Sequence, residues 1–402
     1  MLIDILPIFI IGYFLYFRKK YDKNNILVML IFLSFMVFAT NYTNYGLDID
    51  IYRWLHKSIG IVLILGLLFH IYKNGIYILN NIITFFLGLF FVIILLSYIG
   101  NDIYMVHYKH YIINFIFLSS IVLFLYYKID CMGKLEELLR FIVYISLILA
   151  IFSIIETIVT SQRSSLMYSN SNYLSYSIML GFCIVLFSNY KYKILSMSLL
   201  TIAIIMGGSR SVEIPMVILF LLYIFKNYNK FNKKYFFIIL FSIMITGTAF
   251  WSKIQVNQSP FLNNVRIELA YLGVKAFQDS PINGMGYFQF RTGFNKYIDS
   301  SIKDPEILTT DQIMTHSDFV KIYAELGILG ILFLLFFFYK LYFQLKKLYS
   351  SNQEIYYVSL SLLIGSLTFS LFHNNITTFV FWFILFLPFI TNNIYNKDGN
   401  IN

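Results

Sequence analysis

The fold of this chain is decided by the stretch THSDFVKIYAELGILGILFLLFFFYK, residues 315–340. It starts with polar and charged residues and passes without interruption into an apolar run that ends at Tyr339. We predict a membrane-spanning helix over 319–340, because a helix needs roughly 20 mostly apolar residues to cross a bilayer. The polar start places ionisable side chains at the membrane edge.

The composition extends this interpretation to the whole chain. Of its 402 residues, 59% are hydrophobic and 12% are charged. Apolar runs of spanning length recur from end to end, so we predict an all-α polytopic membrane protein with about 12–13 transmembrane helices. The predicted spans are 2–17, 26–45, 58–72, 76–99, 111–127, 138–159, 172–188, 193–207, 211–226, 235–251, 319–340, 355–373 and 375–392.

Basic residues predict the orientation, because cytoplasmic loops carry an excess of Lys and Arg. Strongly basic loops alternate with less basic ones along the chain; the basic ones are 18–23, 127–134, 191–193, 226–234 and 340–347. We therefore expect a multi-pass membrane protein with its N-terminus outside and its C-terminus inside. The net charge of +10 is then a topology signal, and nucleic acid is not an expected partner.

Three regions follow from this topology. We predict transmembrane helices in 1–251, a long extracytoplasmic loop at 252–318 that carries short helices, and further transmembrane helices with a short cytoplasmic tail in 319–402. Loops beyond about 15 residues are usually functional or disordered. This loop has an amphipathic stretch at 264–278 and a turn, PINGMG at 281–286, whose backbone could approach a ligand.

The element GGSRS, residues 207–211, lies between two predicted spans that almost touch. Its glycines permit a tight turn, and Ser209 or Ser211 is expected to cap the next helix. Arg210 is unfavourable at a membrane edge unless it pairs or faces a wet cavity. It could pair with Glu213 or a lipid headgroup, or its planar guanidinium could clamp a phosphate.

The long loop supplies the candidate base. His316 is the preferred catalytic residue, because a neutral imidazole accepts a proton from a hydroxyl near pH 7. Asp318 or Glu325 could orient it. A helix-capping or interfacial role for His316 is the alternative. Two further candidates bind substrate or pair locally: Arg266, beside Glu268 on the amphipathic stretch, and Arg291 after the turn.

His373 and Arg163 complete the candidate set. His373 interrupts apolar sequence between the last two predicted spans, and Arg163 lies in the loop SQRSS. Turn polarity and surface exposure are the alternatives for these two. In the predicted topology Arg210, Arg266, His316 and His373 all face the outer compartment, which makes a shared substrate site there the prediction.

Several catalytic motifs are missing from the sequence. It has no Walker loop, no HExxH and no GxSxG, and the long loop has no DxD pair to hold a metal-bound sugar nucleotide. No metal or cofactor is expected. An outer-facing enzyme also has no nucleotide supply, so its donor should arrive on a lipid pyrophosphate, with arginines stabilising the leaving group.

The order of these elements resembles a known family. It is a GSR hairpin, a further span, and a long outer loop with an Arg-bearing helix, the turn PINGMGYFQF and a His followed by ELGILG. This resembles the O-antigen ligase and O-antigen or capsule polymerase superfamily, most firmly over 207–330. The resemblance implies a metal-independent glycosyltransferase in which Arg210, Arg266 and His316 correspond to the family's functional Arg, Arg and His. Ser317 stands where the family often has Asn, which argues against a ligase.

The resemblance implies a polymerase that joins undecaprenyl-pyrophosphate-linked oligosaccharides, with arginines on the pyrophosphate and His316 as base. Arg291, Arg163, Ser209, Glu268 and His373 are the expected substrate-binding residues. The alternatives are a ligase that transfers glycan to lipid A core and a glycan-lipid flippase or transporter. Membrane lipids, and a flippase and chain-length regulator of the same pathway, are the expected partners.

Overall fold

The computed structural model describes residues 65–69, 71–73, 75, 81–101, 108–164, 166, 171–227 and 264–399. The regular structure in these ranges is helical. The helices are α1 (Ile82–Ser97), α2 (Tyr108–Lys128), α3 (Met132–Thr160), α4 (Ser171–Phe187), α5 (Lys193–Gly207), α6 (Arg210–Lys226), α7 (Asn264–Asp279), α8 (Phe290–Gly293), a 3-10 turn (Phe294–Tyr297), α9 (Pro305–Thr309), α10 (Asp318–Ser351), α11 (Gln353–Ser370) and α12 (Phe379–Gly399).

The architecture confirms the predicted all-α polytopic membrane protein. Within the described residues, three stretches are long and apolar enough to cross a membrane: Met132–Thr160, Asp318–Ser351 and Phe379–Asn396. Helices α1, α4 and α5 and most of α2 are apolar but shorter. Each predicted span that falls in the described ranges corresponds to one of the helices α1 to α6 or α10 to α12, whereas 2–17, 26–45, 235–251 and most of 58–72 lie outside the described ranges.

Helix α4 lies at the centre of one group of helices. Its residues are buried continuously from Leu174 to Phe187, and it packs against α3, α5 and α11. Small residues permit this close approach, as is typical of helix contacts in membranes. A Cβ at Gly181 would lie 2.4 Å from the Cβ of Ser146 on α3, and the Ser146 hydroxyl donates to the Ser177 carbonyl at 2.8 Å.

Helix α10 is broken at Gly327, which the sequence did not predict. Gly327 has φ 61° and ψ −150°, a region open almost only to glycine. The charged beginning of α10 is thus separated from the apolar part that follows. The turn at 281–286 fills the break with backbone hydrogen bonds: Met285 N–H to the Ala324 carbonyl (3.0 Å), Gly286 N–H to the Glu325 carbonyl (3.1 Å) and Ile328 N–H to the Pro281 carbonyl (2.8 Å).

This contact packs the PINGMG turn against α10, and its expected approach to a ligand stays a prediction. A Cβ at Gly284, whose φ is +70°, would lie 2.3 Å from the carbonyl carbon of Glu325. The glycine is therefore required by helix packing. The turn is also fixed to the end of α1, because Asn101 donates to the Gly284 carbonyl at 2.7 Å and Tyr98 donates to the Tyr287 carbonyl at 2.8 Å.

The long polar region folds on itself over the beginning of α10. Within 264–324 a separate hydrophobic cluster contains Leu269, Leu272, Phe290, Phe294 and Ile307. Helix α7 lies directly on α10, where a Cβ at Gly273 would be 2.7 Å from Cγ1 of Val320. The region is thus an ordered cap that can hold side chains in fixed positions.

Candidate active site

The candidate site surrounds the turn at 371–378, which connects α11 to α12. His373 in this turn is 5% exposed, and its Nε2 lies 3.0 Å from Oγ of Ser211 on α6. Its ring stacks on Phe369 with centroids 4.4 Å apart. Burial lowers the pKa of His373 to about 3, so this imidazole is neutral at physiological pH. The charges of Arg266 and Arg163, and that of His316 when it is protonated, lower this pKa further.

Arg163, just after α3, ties the GGSRS element to α4. Its Nε donates to the Gly207 carbonyl, and its Nη2 donates to Oδ1 of Asn172 at 2.5 Å. The Ser209 hydroxyl donates to the same amide oxygen at 2.9 Å and lies 3.0 Å from Oγ of Ser211. Ser209 occupies the N-cap position of α6 without a side-chain capping bond, so the capping expectation is wrong for this residue.

Arg210 and Arg266 come together from different elements. Arg210 is the first residue of α6, and Arg266 lies on α7 with its Cζ 5.5 Å from the ring centroid of Phe372. Partial burial lowers the pKa of Arg266, and the charge of Arg210 acts in the same direction. Partial burial also lowers the pKa of Arg163, with Arg210 adding to the effect and Glu213 opposing it. Such a concentration of positive charge favours an anion.

His316 has an unusual backbone conformation. Its φ is +51°, in the left-handed region that a non-glycine residue rarely adopts. Partial burial and the charge of Arg266 lower the pKa of His316, whereas Glu306 raises it. The imidazole is therefore mostly neutral near pH 7 and able to accept a proton. We refer to Arg163, Arg210, Arg266, His316 and His373 together as the Arg–His cluster.

The carboxylates expected to orient His316 have other partners. Oδ2 of Asp318 accepts the backbone N–H of Asn375 at 2.8 Å. Oε2 of Glu325 pairs with Nζ of Lys321 at 2.7 Å and accepts the N–H of Phe288 at the same distance. Neither carboxylate therefore forms the expected direct hydrogen bond with His316. The carboxylate that acts on His316 is Glu306, which the sequence pattern gave no reason to choose.

Arg291 and Glu268 make contacts apart from these. Oε2 of Glu268 accepts the backbone N–H groups of Lys303 (3.1 Å) and Asp304 (3.0 Å), which holds the cap together. Arg291 lies on α8, close enough to Lys321 for their charges to interact. The buried Lys321–Glu325 ion pair beside the helix break was not predicted, because charges spaced by four usually mark an exposed helix face.

Ser317 is the N-cap of α10, and its hydroxyl accepts the N–H of Val320 at 3.5 Å. Asn is an equally good N-cap residue. The exchange of Asn for Ser therefore says little about which reaction the site performs.

Part of the chain matches a known protein family. Residues 195–335 match the family model described as O-antigen ligase. The match includes Arg210, Arg266 and His316, whereas Arg163 and His373 lie outside it but in the same cluster. No protein in a search of curated sequences matched the chain. In the described ranges, no group of three or more His, Cys, Asp or Glu side chains could hold a metal ion. The match over residues 195–335 is thus consistent with a membrane protein of the O-antigen ligase and polymerase superfamily.

Proposed function

We propose that this protein is a polysaccharide polymerase of the O-antigen or capsule type. It joins oligosaccharide repeat units carried on undecaprenyl pyrophosphate, at the outer face of the bacterial inner membrane. The observation that carries the proposal is the Arg–His cluster. Arg266 lies close enough to both histidines, and Arg163 to His373, to lower their pKa values, and the charge of Arg210 acts on both of these arginines. This combination suits a pyrophosphate leaving group beside a neutral base.

In the proposed reaction a hydroxyl oxygen of the acceptor sugar attacks the anomeric carbon of the donor. The bond from that carbon to the pyrophosphate oxygen breaks, and undecaprenyl pyrophosphate leaves with the electron pair. The hydroxyl proton passes to His316. One glycosidic bond forms for each phosphoester bond that is broken, so no nucleotide and no redox partner is needed.

Arg210 and Arg266 stabilise the charge that develops on the leaving pyrophosphate. Fixed donors in a partly dry site act strongly on such charge, because no solvent has to reorganise around it. The planar guanidinium groups suit two-point contact with phosphate oxygens. Arg163 and Ser209, which share Asn172 as a partner, are placed to extend this contact. The cation set thus takes the place that a metal ion has in other glycosyl transfers.

A ligase is the second candidate, because the matching family is described as O-antigen ligase. It shares the lipid-pyrophosphate donor and the base, and it differs in the acceptor, which is lipid A core in place of another lipid-linked repeat unit. The two reactions therefore make the same demands on the Arg–His cluster and must be separated by their products.

The test is the glycan profile of the native host with the gene deleted and then restored as wild type, His316→Ala, Arg210→Ala or Arg266→Ala. A polymerase predicts single repeat units at the surface and loss of long chains on deletion. The three variants should fail to restore long chains. Arg140→Ala is the matched control, because this exposed residue lies outside the Arg–His cluster and forms a surface ion pair with Glu136, which contributes little to stability.

Two results would overturn the proposal. Accumulation of long chains on the lipid carrier, with none reaching the surface, would make the protein a ligase. Full restoration by all three variants, at the expression level of the control, would remove the Arg–His cluster from the reaction.

A further inference from the structure

His316 is enclosed by two connections to the same turn. On one side, the Thr315 hydroxyl donates to Oδ1 of Asn374 at 2.7 Å. On the other side, Oδ2 of Asp318 accepts the backbone N–H groups of Asn375 at 2.8 Å and Ile376 at 2.9 Å. The residues immediately before and two after His316 are therefore both bound to 374–376.

The turn that receives these bonds is itself firmly held. The side-chain amide of Asn375 donates to the Tyr176 hydroxyl and to Oγ of Ser366, each at 3.2 Å. The indole of Trp382 donates to the Ile376 carbonyl at 2.7 Å. Since Asn375 is fully buried, these bonds compete little with water. The turn is a rigid reference point between α4, α11 and α12.

These connections account for the backbone of His316. A non-glycine residue in the left-handed region persists only where its surroundings over-determine it. Asp318 is 2% exposed, so its bonds to the turn are shielded from solvent. The turn also carries His373 and Phe372, and Phe372 lies against Arg266. The bonds to the turn therefore fix His316 relative to the rest of the Arg–His cluster.

We propose that Asp318 is a positioning residue for the reaction, which holds His316 in its left-handed conformation by binding the backbone of the turn at 375–376. The inference rests on the proposed function and names a residue that contacts neither donor nor acceptor. Asp318 acts through the oxygen that accepts two N–H groups, and its negative charge is not required for this. An asparagine at this position can supply the same acceptor.

The experiment measures kcat and KM for the lipid-linked donor with purified full-length protein. Asp318→Ala should lower kcat by about tenfold to a hundredfold, since small misplacements of a catalytic group have effects of this size. Its KM for the donor should stay within about threefold, because the arginines that bind the pyrophosphate are unchanged. Asp318→Asn should recover most of the lost kcat.

A double-mutant cycle shows whether Asp318 acts through His316. Loss of a general base costs about 100-fold to 10,000-fold, which leaves a rate measurable in long incubations. Adding Asp318→Ala to His316→Ala should cause no further loss. Thr315→Val removes the other hydrogen bond to the turn. It should also lower kcat, and it should cause no further loss when it is added to His316→Ala. This variant provides the test if Asp318→Ala folds poorly.

Three outcomes overturn the inference alone. The first is an Asp318→Asn protein as slow as Asp318→Ala, which would make charge the important property. The second is a further loss when Asp318→Ala is added to His316→Ala. The third is full activity of the Asp318→Ala variant when the His316→Ala variant is inactive, which refutes only the positioning role of Asp318. If His316→Ala itself is fully active, both the proposed function and this inference are wrong.

Discussion

Acidification should destabilise this protein through His373, even without substrate. The folded state holds the pKa of His373 at about 3, against an ordinary value of 6.5. Between these two pH values His373 therefore binds a proton in the unfolded chain but not in the folded protein. The contribution of this residue to stability is fully present above pH 6.5 and is lost as the pH falls from 6.5 toward 3.

The magnitude follows from the size of this window. At pH 5 the pKa of 6.5 in the unfolded chain is about 1.5 units above the solution pH, so the unfolded imidazole is protonated. The folded imidazole stays unprotonated at this pH. Each unit corresponds to about 1.4 kcal/mol, so the free energy of unfolding should fall by about 2 kcal/mol between pH 7.5 and pH 5 through this residue.

The assay is equilibrium or thermal unfolding of the detergent-solubilised protein at pH 7.5 and pH 5, compared with His373→Gln. The variant should lose about 2 kcal/mol less on acidification, because carboxylate effects common to both proteins cancel in the comparison. His316→Gln is the matched variant and should change the pH dependence in the same direction. An equal loss in wild type and His373→Gln, or a wild type that gains stability at pH 5, would refute the reasoning.

Three further predictions concern the base, the helix break and the buried ion pair. The acidic limb of kcat/KM should have its midpoint below pH 6.5, because the pKa of His316 is lowered, and a midpoint at or above 6.5 would contradict this. Gly327→Ala should lower the free energy of unfolding by about 3 kcal/mol, because alanine is strained in this backbone conformation. Gly88→Ala is the control and should be neutral or stabilising, since no atom lies within 4 Å of its Cβ. Equal effects of the two substitutions would contradict the strain argument. Lys321→Met should lower the free energy of unfolding by about 3–5 kcal/mol, because the Glu325 carboxylate is then buried without its cation. Adding Glu325→Gln should restore part of this free energy, and a double variant as unstable as Lys321→Met would contradict a stabilising ion pair.

The transmembrane helices could be predicted from sequence because a bilayer imposes one simple requirement. Each span needs an apolar stretch of sufficient length, and loops between spans carry the charge. Helices α5 and α6 begin and end within a residue of the predicted bounds, since GGSRS and the lysines mark their ends. The same alternation of loops brought Arg210, Arg266, His316 and His373 into one predicted group.

The hydrogen-bond partners could not be predicted, because they depend on backbone geometry that leaves no pattern in the sequence. The break at Gly327 lies in ELGILG, which reads as continuous helix, and only the inserted turn at 281–286 explains it. Asp318 is two residues from His316 along the chain, yet its carboxylate binds the N–H of Asn375, 57 residues away. The arrangement of the side chains at the site therefore depends on contacts between segments that are distant in the sequence.

Glu306 illustrates the same limit within the cap. It is exposed, and its charge raises the pKa of His316. Its backbone N–H donates to Oδ1 of Asp304, the N-cap of α9, at 2.9 Å. In the sequence it is one of several acidic residues in a polar loop, and none stands out. Only the fold of the cap separates a carboxylate near the base from those at the surface.

The most direct test of the central claim is reconstitution of the purified protein in liposomes with its own lipid-linked repeat unit and a metal chelator. We predict that a lipid-linked dimer of repeat units and free undecaprenyl pyrophosphate form in equal amounts, and that Arg210→Ala and His316→Ala abolish both while Arg140→Ala does not. Formation of the dimer by the His316→Ala protein at the wild-type rate, or no dimer without added metal, would contradict the account.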